Sequence, residues 1–396
     1  MSATPVRGPA LATVTTTATV LTGLLAAGCV ERLPPLDEVT SLRVELVSPV
    51  DPGAADRRLA DTVDEAEIRV TALDAQGEVA TDVDGPAKVY LQFLGTLSPE
   101  LGTPLPHATV TLTGGVSAPT PIPLPRVFGP TVIWVEDDRE GGTYPTGTSP
   151  ILWFRDPFIA DVSTPRDEMA LDALSASPLE GKQVTVSASR YGARGRLVVT
   201  GTYAQGYTVS DVECADEVGT PPCTTGDYDH MLVFSFSRPR DERGRSIVAG
   251  QFIDGFAGGV QEFNGLTEIG FPQSFVSEAD PITVDLARIP PPVVVDQSWF
   301  SNLIRFERVE SFLVAIEGAT VCPLDDDWVT YKQWKLDLGR GCGTPINVIT
   351  TGVSDFDPTT REGQTLTRVV GVLRPVNIGS FNVWIIFPRD GADLTP

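Results

Sequence analysis

The sequence predicts an all-β protein, and three observations carry that expectation. Short segments alternate apolar and polar residues with period two, the signature of half-buried strands. Turn-forming residues punctuate them, with 37 Gly and 34 Pro among 396 residues. No stretch sustains the 3.6-residue apolar period of an amphipathic helix. Hydrophobic residues make up 41% of the chain, enough to fill real cores. At roughly 100 to 200 residues per domain, the length implies two or three domains.

Residues 43–157 read as an antiparallel β-sandwich. Ala66, Ile68, Val70 and Ala72 share one strand face, as do Val89, Leu91 and Phe93, then Ala108, Val110 and Leu112. Turn chemistry at Asp74 to Gly77 and at Thr113 to Gly115 separates the runs. TVIWVEDD (131–138) and PILWF (150–154) supply two closing strands. Residues 158–180 break the alternation, with a helical turn or two expected around Glu168 to Leu174, and are read as a linker. After it come β-rich segments at 181–289 and 293–396, divided by Pro290-Pro291-Pro292. Trp134, Trp153, Trp334 and Trp384 sit in strand patterns as core or sheet-face residues. Trp299 and Phe300, in DQSWFSN, fit no strand and are candidates for an exposed contact.

The chain carries 29 Lys+Arg against 52 Asp+Glu, a formal charge of −23. That charge is opposite to the electrostatic footprint of an ordinary nucleic-acid binder. Residues 1–28 have the layout of a secretory signal: Arg7, an apolar threonine-rich stretch from about Ala10, then small residues. Thr13, Thr15, Thr16, Thr17, Thr19 and Thr22 make that stretch too polar for a permanent span. Leu25, Ala26, Ala27, Gly28 and Cys29 resemble the lipobox of bacterial lipoproteins, which implies cleavage before Cys29 and its attachment to a membrane lipid. Residues 29–42 then form a proline-bearing tether. Val30 and Glu31 replace the Asp that marks inner-membrane retention in enteric bacteria, which points to the outer membrane, on its periplasmic or surface face. In such an oxidising compartment the remaining Cys214, Cys223, Cys322 and Cys342 suit disulfides. Three pairings are formally open; the local pairs Cys214 with Cys223 and Cys322 with Cys342 are favoured.

Two family resemblances follow from longer phrases. The IRVTALDAQG strand and turn (68–77) resembles bacterial immunoglobulin-like domains. In the second half, QEFNGLTEIG (261–270), RVESFLVAIEGATV (308–321) and the ending GVLRPV, NVWIIF and PRDGADL (371–394) resemble the OB-like modules of secreted bacterial nucleases of the endonuclease/exonuclease/phosphatase group. The resemblance implies two OB-like β-barrel units, over 181–289 and 293–396. It implies no nuclease activity, because in that family the metal-binding residues belong to a separate catalytic domain that follows these modules.

OB-like barrels often bind single strands or oligosaccharides through aromatic platforms and basic side chains. The candidates for such a site are Arg190, Tyr191, Arg194 and Arg196 in RYGARGR, with Tyr203 and Tyr207 after them. A second cluster, Arg238, Arg240, Arg243 and Arg245, has Asp241 and Glu242 inside it. Residues 181–396 nevertheless hold 18 Lys+Arg against 27 Asp+Glu, a net of −9, which favours solvated arginine-rich loops. Asp355, Asp357 and Thr359 match the DxDxT phrase of phosphotransferases, but that chemistry needs a downstream lysine and none follows. An Asp/Pro turn is expected there instead. Acidic groups at Asp325 to Asp327, Glu136 to Asp138 and Asp227 with Asp229 lack the spacing of a calcium loop. His107 and His230 have no nucleophile or CxxC pair beside them. No cofactor, metal site or catalytic group is expected. The sequence therefore points to a non-enzymatic, lipid-anchored binding or scaffold protein of the cell envelope, acting through a protein partner. The alternative is an OB-like module for single-stranded nucleic acid or glycan.

Overall fold

The computed structural model describes residues 39–60, 62–94, 107–124, 127–139, 145–168, 176–277, 283–378 and 381–396. Cys29, the signal segment 1–28, most of the tether and the expected turn beyond Glu168 lie outside the described residues. Within them the protein is nearly all β, with sheets of nine, seven and seven strands and short helices α1 (Ile159–Ser163), α2 (Ile304–Glu307) and α3 (Asp326–Tyr331).

The first unit comprises β1 (Ser41–Ser48), β2 (Glu65–Leu73), β3 (Gly85–Phe93), β4 (Ala108–Thr113), β5 (Val116–Ser117), β6 (Thr120–Pro123), β7 (Pro130–Asp137), β8 (Thr146–Thr148) and β9 (Leu152–Trp153). Their order is β1-β2-β5-β4-β3-β7-β8, antiparallel, with β6 on β2 and β9 on β7. Alternation decides which side turns inward: Ala66, Ile68, Val70 and Ala72 of β2 are fully buried. Opposite them, Val44 and Leu42 of β1 pair with Val70 and Ala72 and enter the same core. Each buried Val, Leu or Ile among them contributes about 1.5 to 3 kcal/mol on burial, and each Ala less. The Asp74 carboxylate holds the following turn by accepting from the Gln76 and Glu78 amides, both at 2.9 Å. The sheet then folds over until β8 lies against β1. Only glycine permits that approach, since a Cβ on Gly147 would stand 1.8 Å from the Leu42 carbonyl oxygen.

The second unit comprises β10 (Gln183–Ser187), β11 (Gly195–Tyr203), β12 (Gly206–Glu213), β13 (His230–Phe234), β14 (Phe252–Ile253), β15 (Gly255–Phe263) and β16 (Leu266–Phe275). The third comprises β17 (Val293–Val294), β18 (Leu313–Val321), β19 (Gln333–Asp337), β20 (Ile346–Ile349), β21 (Thr365–Ile378), β22 (Phe381–Phe387) and β23 (Leu394–Thr395). Both share one connectivity. The orders β11-β12-β13-β16-β15 and β18-β19-β20-β22-β21 match position for position, and within these five strands the parallel pair falls at the same place, β13 with β16 and β20 with β22; in the third unit β17 also runs parallel to β18. In the third unit β18 also pairs with β21, closing a five-stranded barrel of the OB kind. In the second, β14 flanks β11 and β10 flanks β15 instead.

One helix falls where the sequence predicts none, and one local expectation changes. The first helix lies at Ile159–Ser163, where the Asp161 carboxylate accepts from the Phe158 amide at 2.9 Å and caps the turn. Ile159 and Val162, three residues apart, drop into the core of the second unit, so this end of the expected linker belongs to the barrel. Trp299 is not an exposed contact: it is 2% exposed. The short turn Gln297–Ser301, capped by Asp296, aims the indole inward and edge-on against Phe306 at 5.2 Å, with Phe300 half-buried beside it. The four cysteines form Cys214–Cys223 and Cys322–Cys342. Asp357 accepts from the Thr359 amide at 2.9 Å and from its hydroxyl at 2.7 Å, so DFDPTT is a capped turn.

Candidate functional site

OB-folds use the face of their second and third strands for ligands, and in the second unit, the first of the two OB-like units and here the first barrel, that face is covered by the third unit, the second barrel. Tyr207, Val209, Met231 and Val233 point into the first core, so Thr208, Ser210, His230 and Leu232 form the opposite face. All four are buried. Phe312 stacks flat on the His230 ring at 4.0 Å, while the imidazole Nδ1 meets Ser210 Oγ at 2.9 Å. Burial pushes the His230 pKa down to about 3, so the ring is neutral. Leu313, Ala315, Val370 and Val372 of the second barrel pack against Tyr203 and Ile289. Arg389 donates to the Thr200 carbonyl at 3.2 Å, and the Tyr228 amide donates to the Arg308 carbonyl at 2.8 Å.

This interface also encloses glutamates. Glu262 and Glu268 come from the first barrel, Glu307 and Glu310 from the segment leading into β18. Glu310 Oε1 accepts from the Thr267 amide at 3.0 Å, and Glu262 Oε1 accepts from the Thr267 hydroxyl at 2.7 Å. The Oε2 atoms of Glu307 and Glu310 are buried with no partner among the described residues. Burial, with Glu262 nearby, pushes the Glu307 carboxyl up to about 7, and burial with three acidic neighbours raises Glu310 well above the usual range. Arg374 is the cation that bears on Glu268.

The six residues proposed from sequence do not form one platform. Tyr207 is 1% exposed, its hydroxyl bonded to Ser274 Oγ at 2.8 Å. Tyr203 lies under the Arg374 guanidinium, 4.7 Å from its ring, and burial raises the phenol to about 12. Tyr191 accepts from the Ile159 amide at 3.0 Å and packs on Phe158. Arg190 donates to the Asp156 carbonyl at 2.8 Å and lies 4.0 Å over Phe158. Arg194 pairs with Glu213, and Arg196 donates to the Ala193 and Glu217 carbonyls. The groove of about 640 Å³ onto which Arg194 opens is lined by Asp211, Glu213, Glu217 and Asp229. Burial and the charges of Asp229 and Glu213 raise Asp211 to about 8. Such a lining repels a phosphate backbone. In the second arginine cluster, Asp241 binds Arg245 at 2.6 Å and Arg243 pairs with Glu242.

A different feature stands out on the solvent side. Phe236 and Phe271 are 70% and 71% exposed and touch, their ring centroids 5.5 Å apart, with Phe234 edge-on to Phe236 at 5.2 Å. A bulge creates this pair. Ala257 faces Gln273 and Gly259 faces Gly270, so Phe271 and Pro272 together oppose Gly258 alone. Gly258 has no room for a side chain, since a Cβ would lie 2.4 Å from Ile269 Cγ2. Phe271 itself takes φ 51°, a genuine outlier for a bulky residue. Bulges of this kind re-aim side chains and are often placed at functional sites. The sequence signal was present in SFS after β13 and GFPQ within β16, but a strand reading assigns Phe271 to a continuous pleat.

Among the described residues no group of three His, Cys, Asp or Glu is arranged to hold a metal ion. Comparison with models of protein families, with curated proteins and with solved structures gives no match.

Proposed function

We propose that the chain is a lipid-anchored, non-enzymatic binding scaffold of the cell envelope that docks a protein partner on the Phe236–Phe271 platform. The observation that carries this reading is two touching phenylalanines, each about 70% exposed, one held there by a strained bulge. Covering both rings contributes roughly 2 to 4 kcal/mol, or one to three decades in affinity. A protein partner fits better than a polynucleotide, because the chain carries −23 and the strand face of the first barrel is covered from within. The lipobox-like Cys29 supports the anchored location. A photo-cross-linking residue at exposed Gln273, introduced into the full chain in intact cells, tests the reading. It should trap one repeatable protein neighbour, and Phe236→Ser with Phe271→Ser should abolish the adduct. Absence of a repeatable protein adduct, or one indifferent to both substitutions, overturns it.

A further inference from the structure

The cleft between the sandwich and the first barrel gathers arginines from both sides. Arg57 and Arg58 come from the loop after β1, Arg155 from just beyond β9, and Arg190 from the turn after β10, with Ser187 and Ser189 beside it. The cavity measures about 600 Å³. Its lining holds four guanidinium groups against two carboxylates, Asp56 and Asp156, a local surplus of two positive charges in a chain of −23. Like charges crowd together only where something offsets their repulsion.

Part of that offset is internal. Asp156 takes an ion pair from Arg58 and, through its carbonyl, the bond from Arg190. Arg57 pairs with Asp51 at 2.5 Å, but the two side chains are 74% and 61% exposed, so water competes for both. Arg155 is exposed, and while its carbonyl accepts from the Gly129 amide at 3.1 Å, its guanidinium has no hydrogen-bond or ion-pair partner among the described residues. Ser187 Oγ and Ser189 Oγ lie 2.8 Å apart, so one hydroxyl donates to the other and leaves one hydrogen to point elsewhere.

We propose that this cleft binds a phosphate monoester group, held by Arg155 and Arg57 with the serine hydroxyl as a further donor. A phosphate monoester carries about −1.5 to −2 at neutral pH, against a surplus of two in the lining that becomes one when Asp51, paired with Arg57, is counted. The planar guanidinium fork meets two of its oxygens at once, a geometry that Lys does not reproduce. The volume exceeds that of a bare phosphate and leaves room for the group to which it is esterified. Because the arginines come from two units, an occupied cleft also ties the sandwich to the first barrel.

The test is calorimetric titration of the full chain with inorganic phosphate, alongside binding to phosphatidylcholine vesicles with and without phosphatidic acid. Saturable binding of inorganic phosphate that weakens at least about tenfold in Arg155→Ala, and partly in Arg155→Lys, supports a site for soluble phosphate esters. Binding to phosphatidic acid vesicles alone, with the same response to both variants, assigns the group to a lipid headgroup. The Arg155 guanidinium holds no partner among the described residues, so an unchanged melting temperature is expected and separates lost binding from lost folding. No binding of either probe, or wild-type affinity in either Arg155→Ala or Arg57→Ala, overturns the proposal.

Discussion

Replacing Glu307 with Gln should stabilise the paired barrels at alkaline pH and leave them unchanged at acid pH. The carboxyl is 9% exposed, its Oε2 has no partner among the described residues, and its pKa rises to about 7 from 4.5. The acidic groups that bear on it are Glu262 and Glu310; among the cations, Arg166 reaches Glu262 and Arg374 reaches Glu268. A carboxyl whose folded pKa is raised keeps its proton after the unfolded chain has lost it. Below about pH 4.5 both states are protonated and the group has no effect. Between 4.5 and 7 stability falls as pH rises, and above 7 the whole penalty is present. A rise from 4.5 to about 7 corresponds to about 3 kcal/mol at 1.36 kcal/mol per unit. Glu307→Gln mimics the protonated carboxyl in shape, so it should recover up to that amount at pH 8 and nothing at pH 4. Differential scanning calorimetry of wild type and variant at the two pH values measures this. A variant no more stable at pH 8, or equally stabilised at pH 4, refutes the reasoning, because either result means that Glu307 is not held protonated by burial.

Phe271→Asn should leave stability unchanged or raise it by up to about 1 kcal/mol, since Asn accepts positive φ more readily and little packing is lost from an exposed ring. An unfolding free energy from urea titration lowered by more than about 1 kcal/mol would show that the ring supports the fold. Phe312→Ala removes the fully buried ring stacked on His230 and should cost about 3 to 5 kcal/mol. The same change lets water reach the imidazole, so its pKa, followed by nuclear magnetic resonance, should climb from about 3 towards the ordinary histidine value. An unmoved pKa would mean that the second barrel is not what keeps the ring dry.

What was legible in the sequence is what is local. Alternation of Ala66, Ile68, Val70 and Ala72 marks the buried face because a strand sends successive side chains to opposite sides. The two short cysteine separations, 9 and 20, suit loops that close on themselves. What alternation does not encode is what covers the second face of a strand. Tyr203 is a candidate ligand platform by its sequence, yet the other barrel, contributed from far away in the chain, packs against it. Glu307 and Glu310 are buried in that docked interface, and nothing in their local pattern marks them as such. Phe271 fails differently: a single extra residue shifts the phase of the pleat, and the pattern before it no longer tells which way its ring points.

The pairing of β18 with β21 makes the hydrogen-bond ladder of the last unit a ring. A ring offers no row of unpaired amides to a neighbouring molecule, whereas an open sheet invites strand-to-strand addition. Confinement to a two-dimensional surface, as a lipid anchor at Cys29 would impose, brings identical chains into frequent collision. Closure therefore protects the last unit from polymerising with its own copies, and leaves its association to the side chains it displays.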